Sequence, residues 1–178
     1  IALSLGLATA DKRRTVESSQ IPFPLEPLRI LLAEDSLVNQ KVAVSLLEKY
    51  GHSVTIANNG KEAISAVTSQ QFDMLLMDVE MPEMDGLEAT AAIRTWEKSR
   101  DKHVPIIAMT AHAMKSHREM CLEAGMDDYV SKPIRAQELF RKLQEVWIRN
   151  GASYFNYQPR ALSQMAIQGK TPPFGIES

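Results

Sequence analysis

Residues 73–86 read DMLLMDVEMPEMDG, and this stretch does most to decide the fold. An apolar run at 74–77 leads to one carboxylate, Asp78. Loop-forming residues follow, because Pro82 cannot donate a backbone hydrogen bond and Gly86 tolerates unusual dihedral angles. A continuous apolar run is typical of a strand buried on both faces of a parallel sheet. The pattern predicts that Asp78 ends a central strand, where open α/β sheets bind ligands, although a lone aspartate there can also be a plain strand cap.

The same arrangement, an apolar run followed by polar side chains, occurs three more times. The runs at 30–33, 105–109 and 128–131 are followed by Glu34-Asp35, Thr110 and Lys132-Pro133. A further apolar run at 54–57 predicts a fifth strand.

Segments with helical periodicity lie between these runs. The first carries Val38, Val42, Leu46 and Tyr50 at steps of four before Gly51, and the others lie around 63–67, 87–96, 120–124 and 139–146. Five strand–helix pairs in strict alternation predict an α/β fold. Its doubly wound five-stranded parallel sheet would have right-handed crossovers and helices on both faces.

Polar residues at the carboxyl ends of parallel strands share one edge of the sheet. We therefore expect Glu34, Asp35, Asp78, Thr110 and Lys132 in one pocket. Three neighbouring carboxylates resist simultaneous ionisation unless a cation joins them, and hard oxygen ligands without Cys or His select Mg²⁺ or Mn²⁺. Lys132 and Thr110 can donate to phosphoryl oxygens, and a carboxylate can act as the nucleophile. The pattern predicts a Mg²⁺-dependent phosphoryl acceptor.

Residues 28–149 resemble a response-regulator receiver domain of two-component systems. The acidic pair Glu34-Asp35, Asp78 followed by MPEMDG, Thr110-Ala111 and Lys132-Pro133 all occur in the family's order. The segments EDSLVNQKVA and AMTAHAM…AGMDDYVSKP are most similar to the corresponding segments of receivers attached to hybrid sensor histidine kinases. The resemblance implies a flavodoxin-like (βα)5 fold with strand order 2-1-3-4-5.

The resemblance also implies roles for the pocket residues. Asp78 would be the phosphorylated residue, Asp35 a direct Mg²⁺ ligand, Glu34 a ligand through water, and the backbone carbonyl of Glu80 a further ligand. Lys132 would bridge to the phosphoryl group. A receiver of this kind assists its own Mg²⁺-dependent phosphorylation and dephosphorylation.

Two residues would form the switch that reads the phosphoryl group. In the family, Thr110 would move towards the phosphoryl group and Tyr129, three residues before the lysine, would rotate inward. Without the family pattern, an aromatic residue in a final strand is as often plain core. Asp127 and Asp128 beside it are expected in a solvated turn.

The expected partner is a phosphohistidine donor, either a kinase dimerisation domain or a phosphotransfer protein. Its docking surface would include Val38, Asn39 and Val42. A homodimer through the last two helices and a cytoplasmic location are further expectations. Neither a helix-turn-helix nor a histidine-kinase catalytic core is recognisable, so neither DNA binding nor autokinase activity is expected of this chain.

Composition narrows the function only slightly. The chain has 178 residues and a formal net charge of −2, which gives no electrostatic footprint for nucleic acid or for an anionic membrane. The single cysteine, Cys121, excludes an internal disulfide and is expected as a small buried hydrophobe. The four histidines show no metal-ligand spacing and are expected on the surface or in loops.

The two ends are expected to lie outside the domain. Residues 1–27 and 150–178 are interpreted as a linker and a tail. The apolar stretch at 1–10 is too short to span a bilayer, and the missing initial methionine suggests a piece of a longer chain.

Two other functional classes compete with a phosphoacceptor. A haloacid-dehalogenase-like phosphatase needs a second aspartate two residues after the nucleophile, where this chain has Glu80. A receiver-fold interaction module that works without phosphorylation usually lacks the acidic pair, the acceptor or the lysine, and this chain retains them all.

Overall fold

A computed structural model describes residues 27–112 and 114–150 of the chain. The predicted linker at 1–27 and tail at 150–178 lie outside these ranges except for their boundary residues. Five strands and five helices alternate in the described part. In chain order they are β1 (Arg29–Ala33), α1 (Leu37–Lys49), β2 (Ser53–Ala57), α2 (Gly60–Ser69), β3 (Met74–Asp78), α3 (Gly86–Glu97), β4 (Ile106–Thr110), α4 (Lys115–Glu123), β5 (Asp128–Ser131) and α5 (Ala136–Arg149).

The five strands form one parallel sheet in the order β2-β1-β3-β4-β5, which confirms the predicted topology. Asp78 is the last residue of β3 and pairs with Met109, and Thr110 ends β4 opposite Ser131. This register brings the strand ends that carry the candidate polar residues to one edge of the sheet.

The core consists of two apolar layers, one on each face of the sheet. On one face, Ile30, Leu32, Met74 and Leu76 pack with buried residues of α1 and α5. On the other face, the side chains of Leu31, Ala33, Leu75 and Met77 pack with α2, α3 and α4. Every residue of β3 and β4 is buried, as expected of central strands covered on both faces.

The predicted apolar stripe of α1 is not its buried face. Val38 and Val42 are 71% and 46% exposed. The helix instead buries Gln40, Ala43 and Leu47. Gln40 can be buried because its side-chain amide donates to the carbonyl oxygen of Glu34 at 2.6 Å and to Oδ1 of Asn58 at 3.1 Å.

His52 lies in the loop between α1 and β2, one of the two places expected for the histidines, but it is buried there. Its ring is only 3% exposed and packs near Phe140 at a centroid distance of 6.3 Å. Nδ1 accepts a hydrogen bond of 3.1 Å from the backbone amide of Leu28. Burial lowers the pKa of His52, so the neutral imidazole is the form that fits the fold.

Asp127 and Asp128 do not form a solvated turn, which corrects a second expectation. Asp128 is buried and accepts hydrogen bonds from Nζ of Lys142 at 2.9 and 3.1 Å. Asp127 accepts from Arg94 at 2.9 Å and from the amide of Ile106 at 2.8 Å. Both carboxylates tie β5 to its neighbours.

Two smaller features complete the description. Cys121 is buried as expected, and burial raises the pKa of its thiol. Within residues 27–112 and 114–150, no helix has the length and apolar character needed to cross a membrane.

Candidate functional site

Three carboxylates meet at the carboxyl edge of the sheet. Ligand oxygens of Glu34, Asp35 and Asp78 all lie within 4.8 Å of one another. Glu34 and Asp78 are buried, whereas Asp35 is exposed. They line a cavity of about 200 Å³, whose walls are formed by Glu34, Asp35, Ser36, Asn39, Asp78, Glu80, Ala111 and Lys132.

Lys132 connects the two buried carboxylates. Its Nζ lies 2.6 Å from Oδ2 of Asp78 and 2.7 Å from Oε2 of Glu34. Burial disfavours the charged amine, but the hydrogen bonds to Asp78 and Glu34 outweigh it and raise the pKa of Lys132. The side chain is therefore an ammonium at neutral pH.

The β1–α1 loop fixes Glu34 from its other side. Oε1 of Glu34 accepts hydrogen bonds from the amide of Ser36 at 3.1 Å and from Nδ2 of Asn39 at 3.0 Å. Ser36 is also the N-cap of α1. Both carboxylate oxygens of Glu34 thus have protein partners. Sequence reasoning missed Ser36 as a site residue, although a serine before a helix is a recognisable capping signal.

Asp78 is held in a strongly polar setting although it is buried. Burial raises the pKa of its carboxyl group, and the nearby charge of Glu34 acts in the same direction. The hydrogen bond from Lys132 opposes both effects, as does the amide of Glu80, which donates to Oδ1 at 3.2 Å. The ionised form of Asp78 therefore depends on the positive charge beside it.

The loop after β3 folds back closely on Asp78. The amide of Gly86 donates to the carbonyl oxygen of Val79 at 3.0 Å, and a Cβ atom at position 86 would lie 2.1 Å from the carbonyl oxygen of Asp78. Asp85 and Glu88 form a capping box that starts α3 beside this contact. Gly86 is thus required for space, since only Gly51 and Gly125 have positive φ among the described glycines.

Thr110 ends β4 in a buried position, but its hydroxyl bonds within the β4–α4 loop. Oγ1 accepts a hydrogen bond from the amide of His112 at 3.1 Å and lies 3.3 Å from the carbonyl oxygen of the same residue. Thr110 does not line the 200 Å³ cavity, and Ala111 does. The structure therefore brings the carboxylates and Lys132 together, whereas the Thr110 hydroxyl is engaged beside them.

Tyr129 lies in β5 with a half-buried side chain that packs against the α2–α3–α4 side of the core. The guanidinium carbon of Arg118 and Nζ of Lys142 lie 5.6 and 5.7 Å from the centre of its ring. The residue is thus neither plain core nor fully exposed.

A histidine pair beside the cavity was not expected from sequence spacing. The rings of His112 and His117 are stacked at 4.9 Å with an interplanar angle of 18°. Nδ1 of His112 also lies 3.6 Å from Oε1 of Glu80. Residues five apart lie on different faces of a regular helix, but α4 begins at Lys115, so His112 lies in the preceding loop and its ring can stack on that of His117.

The residues of the cavity fit a hard divalent cation. The candidate donors are oxygens from Asp35, Asp78 and Glu34, and Glu80 lies in the cavity wall. Oxygen donors without thiolate or imidazole among them favour Mg²⁺ or Mn²⁺ over Zn²⁺. The positive charge of Lys132 beside these carboxylates can also attract an anionic group.

Comparison with known proteins points to one family. The sequence model of the family described as "Response regulator receiver domain" matches residues 30–144. Hybrid signal transduction histidine kinase I of Dictyostelium discoideum is 49% identical over 119 residues, covering 64% of this chain and 7% of that protein. Sensor histidine kinase GacS of Pseudomonas protegens is 38% identical over 150 residues, covering 84% of this chain and 15% of that protein. The chain spans 7% to 15% of the length of the first curated relatives it matches.

Solved structures give the same result. The receiver domain of a sensor histidine kinase from Pseudomonas aeruginosa, crystallised with a magnesium ion coordinated in its active-site cleft, is 43% identical with a TM-score of 0.62, covering 68% of this chain and 98% of that one. The receiver domain of a Saccharomyces cerevisiae response regulator, crystallised with a histidine phosphotransfer signalling protein, is 28% identical with a TM-score of 0.69, covering 75% of this chain and 97% of that one.

Proposed function

Because the chain belongs to the response regulator receiver domain family of two-component systems, we propose that it takes a phosphoryl group from a phosphohistidine onto Asp78. The observation that carries this proposal is the position of the Asp78 carboxylate, buried 2.6 Å from the Lys132 ammonium and beside Glu34 and Asp35. A buried carboxylate between a cation and further carboxylates suits a metal-dependent acyl phosphate better than a structural ion pair.

Asp35, Asp78 and the backbone carbonyl of Glu80 would hold Mg²⁺ directly. Glu34 would act through water, because both of its oxygens already have protein partners. Mn²⁺, which prefers the same oxygen ligands, should substitute. When bound, the cation supplies positive charge that neutralises the oxygens of the transferring phosphoryl group.

The chain's own residues account for the rest of the transfer. A carboxylate oxygen of Asp78 bonds to phosphorus while the phosphorus–nitrogen bond to the donor imidazole breaks, and the bonding electrons return to that nitrogen. Lys132, which pairs with Asp78 before transfer, then pairs with a phosphoryl oxygen. Its raised pKa keeps it charged throughout. The domain would thereby assist its own phosphorylation and dephosphorylation.

The Thr110 hydroxyl and the Tyr129 ring are proposed as the switch. A phosphoryl dianion beside the carboxyl edge offers the hydroxyl of Thr110 a stronger acceptor than its present contacts with His112. Movement of Thr110 would open space towards which Tyr129 can turn. Beryllofluoride with Mg²⁺, which stands in for the phosphoryl group, should shift NMR signals at both residues, and Thr110→Val should separate the two responses.

Residues 28–149 are proposed as the whole receiver domain, with 1–27 and 150–178 as connecting segments. The similarity to kinase-attached receivers supports a hybrid histidine kinase as the parent protein. The donor would be a kinase dimerisation domain or a phosphotransfer protein, on the cytoplasmic side of the cell. A homodimer through α4 and α5 is proposed as one form of the switched state.

The competing functional classes are not favoured. The comparisons match receiver domains and no haloacid-dehalogenase-like phosphatase among the relatives described above. The acceptor, acidic pair and lysine stand together in the structure, which argues against a module that works without phosphorylation.

Intact-protein mass spectrometry after incubation with acetyl phosphate and Mg²⁺ tests the acceptor. The mass should rise by one phosphoryl group, and hydroxylamine should remove it. Asp78→Asn should abolish the increase and Asp35→Asn should reduce it, whereas Asp101→Asn, at an exposed residue with φ of 48°, should not. Equal labelling of Asp78→Asn and the unaltered chain would show that the acceptor is another residue.

A further inference from the structure

The ring of Tyr129 is flanked by cations from two different helices. The guanidinium carbon of Arg118, on α4, lies 5.6 Å from the ring centre, and Nζ of Lys142, on α5, lies 5.7 Å from it. Both distances fall within the range in which a cation is attracted to the face of an aromatic ring. The half-buried position of Tyr129 in this structure is therefore the one in which its ring contacts both cations.

The two cations differ in how firmly they are held. Nζ of Lys142 donates to both oxygens of the buried Asp128 carboxylate, at 2.9 and 3.1 Å, and lies 3.5 Å from Glu145. Its side chain is only 17% exposed. Arg118 is exposed on α4. Lys142 therefore cannot follow a moving ring without leaving a buried carboxylate, whereas Arg118 can.

We propose that Lys142, anchored by Asp128, is a positioning residue that holds the Tyr129 ring in its half-buried position and so sets how readily the receiver switches. The inference rests on the function proposed above, in which Tyr129 turns when Asp78 is phosphorylated. Asp128 also accepts a hydrogen bond of 2.8 Å from the backbone amide of Tyr129. The Asp128 carboxylate therefore contacts both the backbone of Tyr129 and the ammonium of Lys142.

The physical consequence is a bias on a two-state equilibrium. A ring that turns away from this position loses its contact with Lys142, and the lysine stays with Asp128. Without the charge of Lys142 there is no cation–π contact to favour the half-buried position, so the population of the turned ring rises. By linkage, any anion that favours the turned state at Asp78 should then bind more tightly, by about two- to tenfold for one cation–π contact.

Lys142→Met tests the inference, since methionine retains most of the aliphatic stem without the charge. Lys142→Arg is the conservative variant that retains the charge, and Lys49→Met changes the same charge at an exposed position on α1. In the chain without additives, nuclear Overhauser effects should connect the Tyr129 ring to the side-chain methylenes of Lys142. The Tyr129 ring signals and beryllofluoride affinity in Mg²⁺ are then measured for each variant.

We expect Lys142→Met to move the Tyr129 ring signals towards their position in the beryllofluoride complex and to tighten beryllofluoride binding two- to tenfold. Lys142→Arg and Lys49→Met should leave both unchanged. Unchanged ring signals in Lys142→Met, or an equal effect of Lys142→Arg, would overturn the inference. If the unaltered chain binds no beryllofluoride but its ring responds to Lys142→Met, the proposed function fails and the positioning role stands.

Discussion

The Nζ atom of Lys132 lies 2.6 Å from Oδ2 of Asp78, although the two residues are 54 positions apart in the chain. The same Nζ lies 2.7 Å from Oε2 of Glu34. One ammonium therefore bridges two buried carboxylates that would otherwise repel each other. Stability and reactivity of this edge of the sheet both depend on that ammonium.

Replacing Lys132 by methionine should destabilise the metal-free protein. The change leaves Glu34 and Asp78 buried without their cation, at a cost of about 3 kcal/mol. Added Mg²⁺ should recover part of the loss, because a divalent cation can replace the missing charge between the carboxylates. Urea unfolding with and without Mg²⁺ measures both effects.

Lys61→Met is the matched control for Lys132→Met. Lys61 pairs with Glu83 at 3.4 Å, and the two side chains are 60% and 58% exposed, so its removal should cost less than about 0.5 kcal/mol. An equal cost for the two variants would mean that the buried pairing of Lys132 contributes no more to stability than the exposed pair of Lys61 and Glu83.

Exposed apolar residues at the start of α1 should contribute to docking of the phosphohistidine donor. Val38 is 71% exposed and directly precedes Asn39, which lines the acidic cavity. Val38→Ser should slow phosphoryl transfer from a purified donor about fivefold, as expected for one apolar interface contact, and should change the unfolding free energy by less than about 0.5 kcal/mol.

Ile148→Ser provides the comparison for the docking prediction, because Ile148 is also apolar and 51% exposed but lies near the end of α5. Transfer rates are followed by loss of label from the donor in rapid-quench experiments. Equal transfer rates for Val38→Ser and Ile148→Ser would show that this part of α1 does not belong to the docking surface.

Gly86→Ala should disturb the site from the backbone side. The added Cβ would lie 2.1 Å from the carbonyl oxygen of Asp78, so the loop must move away from β3 at a cost of about 3 kcal/mol. Gly51→Ala meets no atom within 4 Å and should cost only about 1 kcal/mol, from its positive φ of 88°. Thermal unfolding ranks the two variants, and the opposite ranking would contradict the steric argument.

Arg94 should be a major stabilising residue at the opposite edge of the sheet. Its guanidinium donates to Glu97 at 2.7 Å and Asp127 at 2.9 Å, and to the carbonyl oxygens of Val104 and Gly125 at 2.9 and 2.8 Å. Arg94→Met leaves two largely buried carboxylates without their guanidinium partner and should cost about 3 kcal/mol.

The control for Arg94→Met is Arg141→Met, which removes an exposed pair with Glu145 and should cost less than about 0.5 kcal/mol. Denaturant unfolding gives both values. Phosphorylation of Asp78 by acetyl phosphate should remain in folded Arg94→Met, since this network lies away from the acceptor cavity. Loss of labelling in a folded variant would show that the two edges are coupled.

His52 should make stability fall in mildly acidic solution. Its pKa is lowered in the fold by burial, so the unfolded chain takes up a proton near the ordinary value of about 6.5 before the folded chain does. The contribution of His52 is therefore present above that pH and is lost as the pH falls towards the folded pKa, by at most about 1.4 kcal/mol per pH unit.

His52→Gln isolates this effect, because glutamine can still accept the hydrogen bond from Leu28 but does not titrate. Unfolding free energies are compared for the two proteins between pH 7.5 and pH 5.5. The advantage of the unaltered protein over His52→Gln should shrink as the pH falls. A difference that stays constant with pH would show that folding does not lower the pKa of His52.

The sequence by itself determined the order of the elements and the edge at which the polar residues collect. Apolar runs such as 74–77, bounded by loop-forming residues, are typical of central strands of a covered sheet, and the strict alternation with helices predicts parallel pairing. Asp78 and Thr110 then fall at strand ends by their position in the chain alone.

Only the tertiary structure decided which polar side chains are buried and what they contact. Gln40 is buried on α1 because Asn58 and Glu34 accept its amide hydrogens, and His52 is buried against the amide of Leu28. The periodicity of a local sequence segment does not predict hydrogen-bond partners from distant parts of the chain. Burial of a polar group depends on whether a distant residue satisfies it, and that is settled only when the chain has folded.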